Sequence, residues 1–343
     1  MFIIVSVTVK LDDMTLPDFS SSPNFKDNLT AAFGRAATED WIARLPRLLA
    51  EAASRWDLKL GPPVDGLSYN YVCSATHRPE RSRWSSSEAY RDQAKSKGDF
   101  ILKIGIPNRE LTSEIECLKA WGGVAIRPTA RLLESDPENG LLLLERLRPG
   151  ETLATITNDD RATEIAADTM SRLWIPASQI DSHFGSDCQF IQLKDWFDAL
   201  KNLRPLFHGG TGPFPARLVE TAEGLLRELF AENERWLIHG DCHHYNILSH
   251  EDEWRVIDPK GVIGAREYEV APFMLNPVYQ PRPNIKRETN RRLDIFSERL
   301  GLDRQRLWAW TVAHSVLSAW WDLQEDGSGG EFTIACGEAF LEL

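Results

Sequence analysis

The stretch "WLIHGDCHHYNIL", Trp236 to Leu248, decides how the chain is read. Apolar edges enclose three histidines, an aspartate and an asparagine, and a second apolar run, "WRVI", then delivers Asp258-Pro259. Polar groups gathered between strand-forming segments mark a loop that carries a site rather than a core. His239, His243 and His244 raise the question of a metal centre. The helical H-E-x-x-H arrangement of a zinc site is absent, however, and Gly240 disfavours a helix through the loop. The oxygen-bearing residues make a better set. Phosphoryl transfer from ATP needs an aspartate to orient an acceptor hydroxyl and take its proton. It also needs an amide oxygen and a second carboxylate to hold Mg²⁺ on the phosphates. Asp241, Asn246 five positions later, and Asp258 at the end of the next strand supply that set.

Working outward, the half before this loop is rich in strands and the half around and after it in helices. "YNYVCSA" (69–75), "DFILKIG" (99–105) and "LLLLERL" (141–147) are β-rich runs. A helical pattern occupies Asn108 to Trp121. After Pro149-Gly150 the spacing predicts helices over Arg161–Trp174, Leu193–Leu203, Pro215–Asn233, Lys286–Leu300 and Asp303–Leu323, and a last one after Gly330. The expected fold class is α+β with segregated lobes. Residues 1–37 read as an N-terminal extension, 38–147 as a β-rich lobe and 148–343 as a helical lobe carrying the loop. The first firm element is a helix from Thr38, with Trp41, Leu45, Leu48, Leu49, Ala52 and Trp56 on one face and Gly61-Pro62-Pro63 closing it. "HGGTGP" at His208 lacks the Lys-Ser/Thr of a phosphate-cradling loop and is read as a plain connection.

The 343 residues carry 39 Lys and Arg against 51 Asp and Glu, a net charge of -12. Such a surface repels nucleic acid and anionic membrane and attracts cations. The apolar start "MFIIVSVTV" is too short for a membrane span and has neither basic residues before it nor a cleavage site after it, so a cytoplasmic protein is expected. Five scattered cysteines without a C-x-x-C pair point to free thiols.

With "HGDCHHYNIL", "VIDPKGVIG", "LLLLERLRPG", "YEVAPFMLNP" and "SAWWDLQEDG" in this order, the chain resembles the aminoglycoside and hydroxyurea antibiotic resistance kinases, from about Trp41 to the end. The resemblance implies a protein-kinase-like two-lobed fold with ATP in the cleft between lobes. Asp241 would be the catalytic base, and Asn246 and Asp258 the Mg²⁺ ligands. Lys103, in the apolar strand "FILKIG", would contact the ATP phosphates, with Glu114 as its ion-pair partner. Glu145, Arg146 and Leu147 would form the hinge that meets adenine, and Gly66 to Val72 the loop over the nucleotide. Read alone, Lys103 is equally a lysine guarding a sheet edge, and Glu114 a solvated helical acid.

The implied activity is ATP-dependent phosphorylation of a small-molecule hydroxyl, with an aminoglycoside such as streptomycin as acceptor. The alternatives are a kinase of hydroxyurea or of a small metabolite, and a non-catalytic nucleotide-binding module. For the acceptor, "WWDLQEDG" offers the aromatic Trp321 and the carboxylates Asp322, Glu325 and Asp326, which suit a cationic group. Lys260, just past Asp258, is a candidate for holding phosphate or acceptor. Tyr245 and Cys242 depart from the glycine and leucine usual in the family, which bears on the shape of the acceptor pocket. A monomer is expected.

Overall fold

The computed structural model describes residues 17–77, 98–124, 127–184, 189–232, 235–277, 283–327 and 330–343. They fall into two compact units, one of residues up to 107 together with 133–145, the other of 108–132 together with 146–343.

The first unit holds helices α1 (Phe25–Phe33) and α2 (Arg35–Arg55). Its five-stranded sheet is built from β1 (Leu58–Pro63), β2 (Tyr71–His77), β3 (Asp99–Ile104), β4 (Leu132–Asp136) and β5 (Leu141–Glu145) in the order β1-β2-β3-β5-β4. Alternation in β2 buries Tyr71, Cys73 and Ala75, which meet Trp41, Leu45 and Leu48 of α2 in one core. In β3 the last three residues, Leu102, Lys103 and Ile104, are all buried, as expected of a central strand covered on both faces. Lys103 stands between Val72 of β2 and Leu142 of β5, which rules out the edge-strand reading of this lysine.

Two expectations for this region need correction. The stretch before Thr38 is not all lead-in, because α1 puts Phe25 and Leu29 into the core and α2 begins at Arg35. The apolar residues of α1 are too few for their period to show. Gly61-Pro62-Pro63 does not close a helix either; α2 ends at Arg55, and the prolines lie in β1. That strand is at the sheet edge, where a residue without an N–H donor is tolerated.

The second unit opens with α3 (Arg109–Val124), β6 (Pro149–Thr152), α4 (Asp159–Ser171), β7 (Ile175–Pro176) and α5 (Ala177–Phe184). After them come β8 (Ile191–Gln192), α6 (Leu193–Asp198), α7 (Leu203–Leu206) and α8 (Ala216–Leu229). The central strands are β9 (Trp236–Ile238), β10 (Ile247–His250), β11 (Glu253–Val256) and β12 (Val262–Gly264), and the closing helices are α9 (Ala271–Leu275), α10 (Ile285–Leu300), α11 (Arg304–Asp326) and α12 (Glu331–Phe340). Where one helix was expected over Leu193–Leu203, a 3₁₀ turn at Ala199–Asn202 separates α6 from α7.

Side-chain caps start three of the helices: Asn108 accepts from the Leu111 amide before α3, Asn158 from the Arg161 amide before α4, and Asp303 from the Arg306 amide before α11. The buried Arg292 of α10 binds Asp159 of α4 and the carbonyls of Phe273 and Asn276, which fixes those elements together. The strands form two small sheets, β11-β10-β6 and β7-β9-β12-β8. The decisive stretch runs from one sheet to the other. No helix among the described residues is long and apolar enough to cross a membrane.

Candidate active site

The loop Gly240–Asn246 leaves β9 in one sheet and enters β10 in the other. Gly240 has φ +85, and a Cβ there would stand 2.5 Å from Val262 Cγ2, so only glycine makes this turn without displacing β12. His239 is fully buried. Its Nε2 donates to the Ile257 carbonyl at 2.8 Å, which leaves Nδ1 to accept the Asp241 amide at 3.2 Å. Burial holds this imidazole down to about 4, so it is neutral at pH 7.

Below the loop lies Glu269, also fully buried, whose two carboxyl oxygens accept the amides of His239 and Gly240, each at 3.2 Å. Burial pushes its carboxyl up to about 8, against the opposing pull of those two amides. His244 stacks on Phe273 at 3.9 Å, and His243 Nδ1 accepts the Tyr245 amide. The histidines therefore frame the loop, and Asp241 projects from it with 36% of its side chain exposed.

Asn246 donates from Nδ2 to the Asp241 carbonyl at 2.9 Å, and the same nitrogen lies 3.5 Å from Asp241 Oδ2. With the amide nitrogen committed, Oδ1 accepts no hydrogen bond among the described residues. The Ile257 amide donates to the Asn246 carbonyl at 3.0 Å and so ties the strand leading to Asp258 to the loop. Asp258 has φ +56, a conformation costly for a residue with a Cβ and concentrated at functional sites. The Lys260 amide closes the turn by donating to the His239 carbonyl at 2.8 Å. An amide oxygen and a carboxylate on one rigid hairpin are hard oxygen donors, the kind that Mg²⁺ takes, and the residues present fit that ion.

Lys260 Nζ lies 3.1 Å from Glu110 of α3. Burial lowers the ammonium's pKa, but the charges of Glu110, Asp241 and Asp258 outweigh it and hold the group above its ordinary value. The same helix is joined to the hairpin by Ser113, whose Oγ donates to the Gly261 carbonyl at 2.7 Å and accepts the Ile191 amide at 3.3 Å.

The remaining candidates are distributed as follows. Lys103 is buried in the sheet of the first unit, and Glu114 is buried on α3 in the second. The chain passes from one unit to the other between Glu145 and Arg146, within the expected hinge, and Leu147 is buried just beyond. In the loop Gly66–Val72, the Leu67 amide donates to Ser22 Oγ at 2.8 Å, so the N-terminal segment supports that loop.

On α11, Trp321 packs edge-to-face against Trp196 of α6 with centroids 5.5 Å apart. Its neighbour Asp322 turns away and accepts from Thr333 of α12. Glu325 and Asp326 lie on the last turn of α11, and their side chains are outside the described residues. Glu269, Glu110, Trp196, Tyr268 and His314 were given no role by the sequence. For Glu269 the only cue is its place in "YEVAPF", and for Trp196 there is none.

Known proteins similar to this chain are kinases and phosphotransferases. The family model for aminoglycoside/hydroxyurea antibiotic resistance kinase matches residues 81–327. Streptomycin 6-kinase of Streptomyces glaucescens is 30% identical over 88% of this chain and 91% of its own length. Hydroxyurea phosphotransferase of Kitasatospora aureofaciens is 28% identical over 90% and 82%. Among solved structures, a choline/ethanolamine kinase family protein from Mesorhizobium loti shares the fold at 15% identity, with a TM-score of 0.57 over 88% of this chain and 95% of that one. The Asp241–Asn246–Asp258 hairpin thus stands within a protein-kinase-like fold, and the chain belongs to the aminoglycoside/hydroxyurea antibiotic resistance kinase family.

Proposed function

We propose that the protein transfers the γ-phosphate of ATP to a hydroxyl of a small antibiotic, with streptomycin as the expected acceptor. The observation that carries this reading is the Asp241 carboxylate, part-exposed on a loop whose backbone is anchored by Glu269 and whose neighbour Asn246 has its amide nitrogen committed to the Asp241 carbonyl. Asp241 orients the acceptor hydroxyl and takes its proton as the oxygen bonds to the γ-phosphorus. The bond from that phosphorus to the bridging oxygen breaks, and ADP leaves. Asn246 Oδ1 and Asp258 would hold Mg²⁺, which would neutralise charge on the phosphates. Lys103 serves the nucleotide phosphates, and Glu114 adds negative charge on α3. The backbone of Glu145–Leu147 receives adenine, and Gly66–Val72 covers the nucleotide. Lys260 adds positive charge beside the two aspartates. A monomer in the cytoplasm, where ATP meets an incoming antibiotic, suits this role.

Similarity to a streptomycin 6-kinase over most of both chains supports streptomycin as acceptor. A streptomycin 3''-kinase from Klebsiella pneumoniae, 32% identical over 66% of this chain, leaves the choice of hydroxyl to experiment. The test is ADP release from Mg²⁺-ATP against streptomycin, other aminoglycosides, hydroxyurea and simple sugars, with Asp241→Asn as the blank. Release that depends on streptomycin and vanishes in the variant supports the proposal. Release that depends on hydroxyurea or a sugar alone moves the acceptor assignment, and ATP binding without turnover on any acceptor removes the enzymatic reading.

A further inference from the structure

We infer that Trp196 and Trp321 together form an aromatic wall that receives a planar guanidinium group of the acceptor. The inference rests on the proposed transfer to a small cationic molecule and names the chemical feature by which that molecule is held. It starts from the connectivity around Asp241. On one side the loop enters β10, which begins just after Asn246 and pairs with β6, the strand that follows the hinge segment. The proposed reaction puts the nucleotide on this side. On the other side the loop leaves β9, whose partner β12 pairs with β8, and β8 leads directly into α6 with Trp196. A Cβ at Gly240, next to Asp241, would stand 3.2 Å from Trp196 Cη2. Trp321 meets Trp196 edge-to-face at 87° and lies 6.3 Å from the ring of His314, and both indoles keep part of their surface in solvent.

The charges around this wall select the ligand. His314 receives the Tyr268 hydroxyl at 3.0 Å and is buried, so it stays neutral and places no positive charge behind the rings. Among the described residues, the carboxylates next to the two tryptophans in sequence are engaged, Asp195 with Arg109, Asp198 with Lys194 and Lys201, and Asp322 with Thr333, and Asp241 is reserved in the proposed reaction for the acceptor hydroxyl. An ammonium group, compact and strongly hydrated, needs an available carboxylate. A guanidinium is flat, weakly hydrated and stacks on indole faces, which is what two mostly buried but part-exposed tryptophans in a strongly acidic protein offer.

Saturation-transfer NMR on the full chain without ATP, using ethylguanidinium and ethylammonium as probes, tests the wall independently of phosphoryl transfer. The expected result is transfer to ethylguanidinium that exceeds transfer to ethylammonium, is displaced by streptomycin, and is lost in Trp321→Ala. No transfer to ethylguanidinium in the wild type, or equal transfer to both probes, overturns the inference even if the variant does not fold. Steady-state kinetics supply the second reading: Trp321→Ala raises KM for streptomycin by about tenfold and leaves KM for ATP unchanged. Streptomycin turnover with unaltered KM in that variant removes the wall and leaves the kinase standing. Selective ethylguanidinium binding with no acceptor phosphorylated keeps the wall and removes the proposed reaction.

Discussion

In the proposed reaction Asp241 carries the chemistry of the loop, while Glu269 holds its backbone in position. Asp241→Asn keeps the hydrogen-bonding shape of the side chain but removes its capacity to take a proton. Turnover should fall by about 10²–10⁴-fold while ATP still binds, measured by single-turnover phosphate transfer and nucleotide titration. Glu269 makes its mark on stability instead. Its carboxyl is held up to about 8 in the fold against an ordinary value of 4.5, so between these limits the folded chain binds more protons than the unfolded one. The associated stability is complete below pH 4.5 and is lost as pH rises toward 8. His239 and His314, both held down to about 4, act in the opposite sense: their contribution is complete above pH 6.5 and lost as pH falls toward 4. Chemical denaturation at a series of pH values should show stability declining from pH 6.5 to 8, and Glu269→Gln should flatten that decline while leaving the acid limb in place.

At the scale of elements, two contacts decide how firmly the site is built. Ser113→Ala removes the bond from α3 to the Gly261 carbonyl and leaves the Ile191 amide without its partner, at a cost of about 1–3 kcal/mol in unfolding free energy, read by denaturant titration. Leu29→Ala in α1 should cost about 2–5 kcal/mol, since its side chain is fully buried; a negligible cost would return this segment to the status of an appendage. The strand–loop–strand frame of the candidate site was legible in the sequence because its polar residues are local, at fixed spacing and flanked by strands. Helix α1 was not, because Phe25 and Leu29 acquire their meaning from the sheet they pack on. Strand β1 was hidden by prolines that signal a stop in a helix but are harmless at a sheet edge. Glu269, Trp196 and His314 reach the loop only through tertiary packing, from positions 28 residues after, 45 before and 73 after Asp241, and no local pattern announces them.

For the molecule as a whole, the net charge of -12 acts at longer range than any single contact. A cationic acceptor should be drawn toward the protein, so kcat/KM for streptomycin should fall as ionic strength rises, while an uncharged sugar offered as acceptor shows no such trend. Equal salt dependence for charged and uncharged acceptors would detach the charge from function. Helix α3 belongs to the same unit as the catalytic loop, fastened to the hairpin through Ser113 and Glu110. A helix so fastened is a poor lever for control, because it cannot swing out without also unseating the turn that carries Asp258. Any displacement of α3 would therefore be felt at the turn of Asp258 itself, through the Ser113 and Glu110 contacts together.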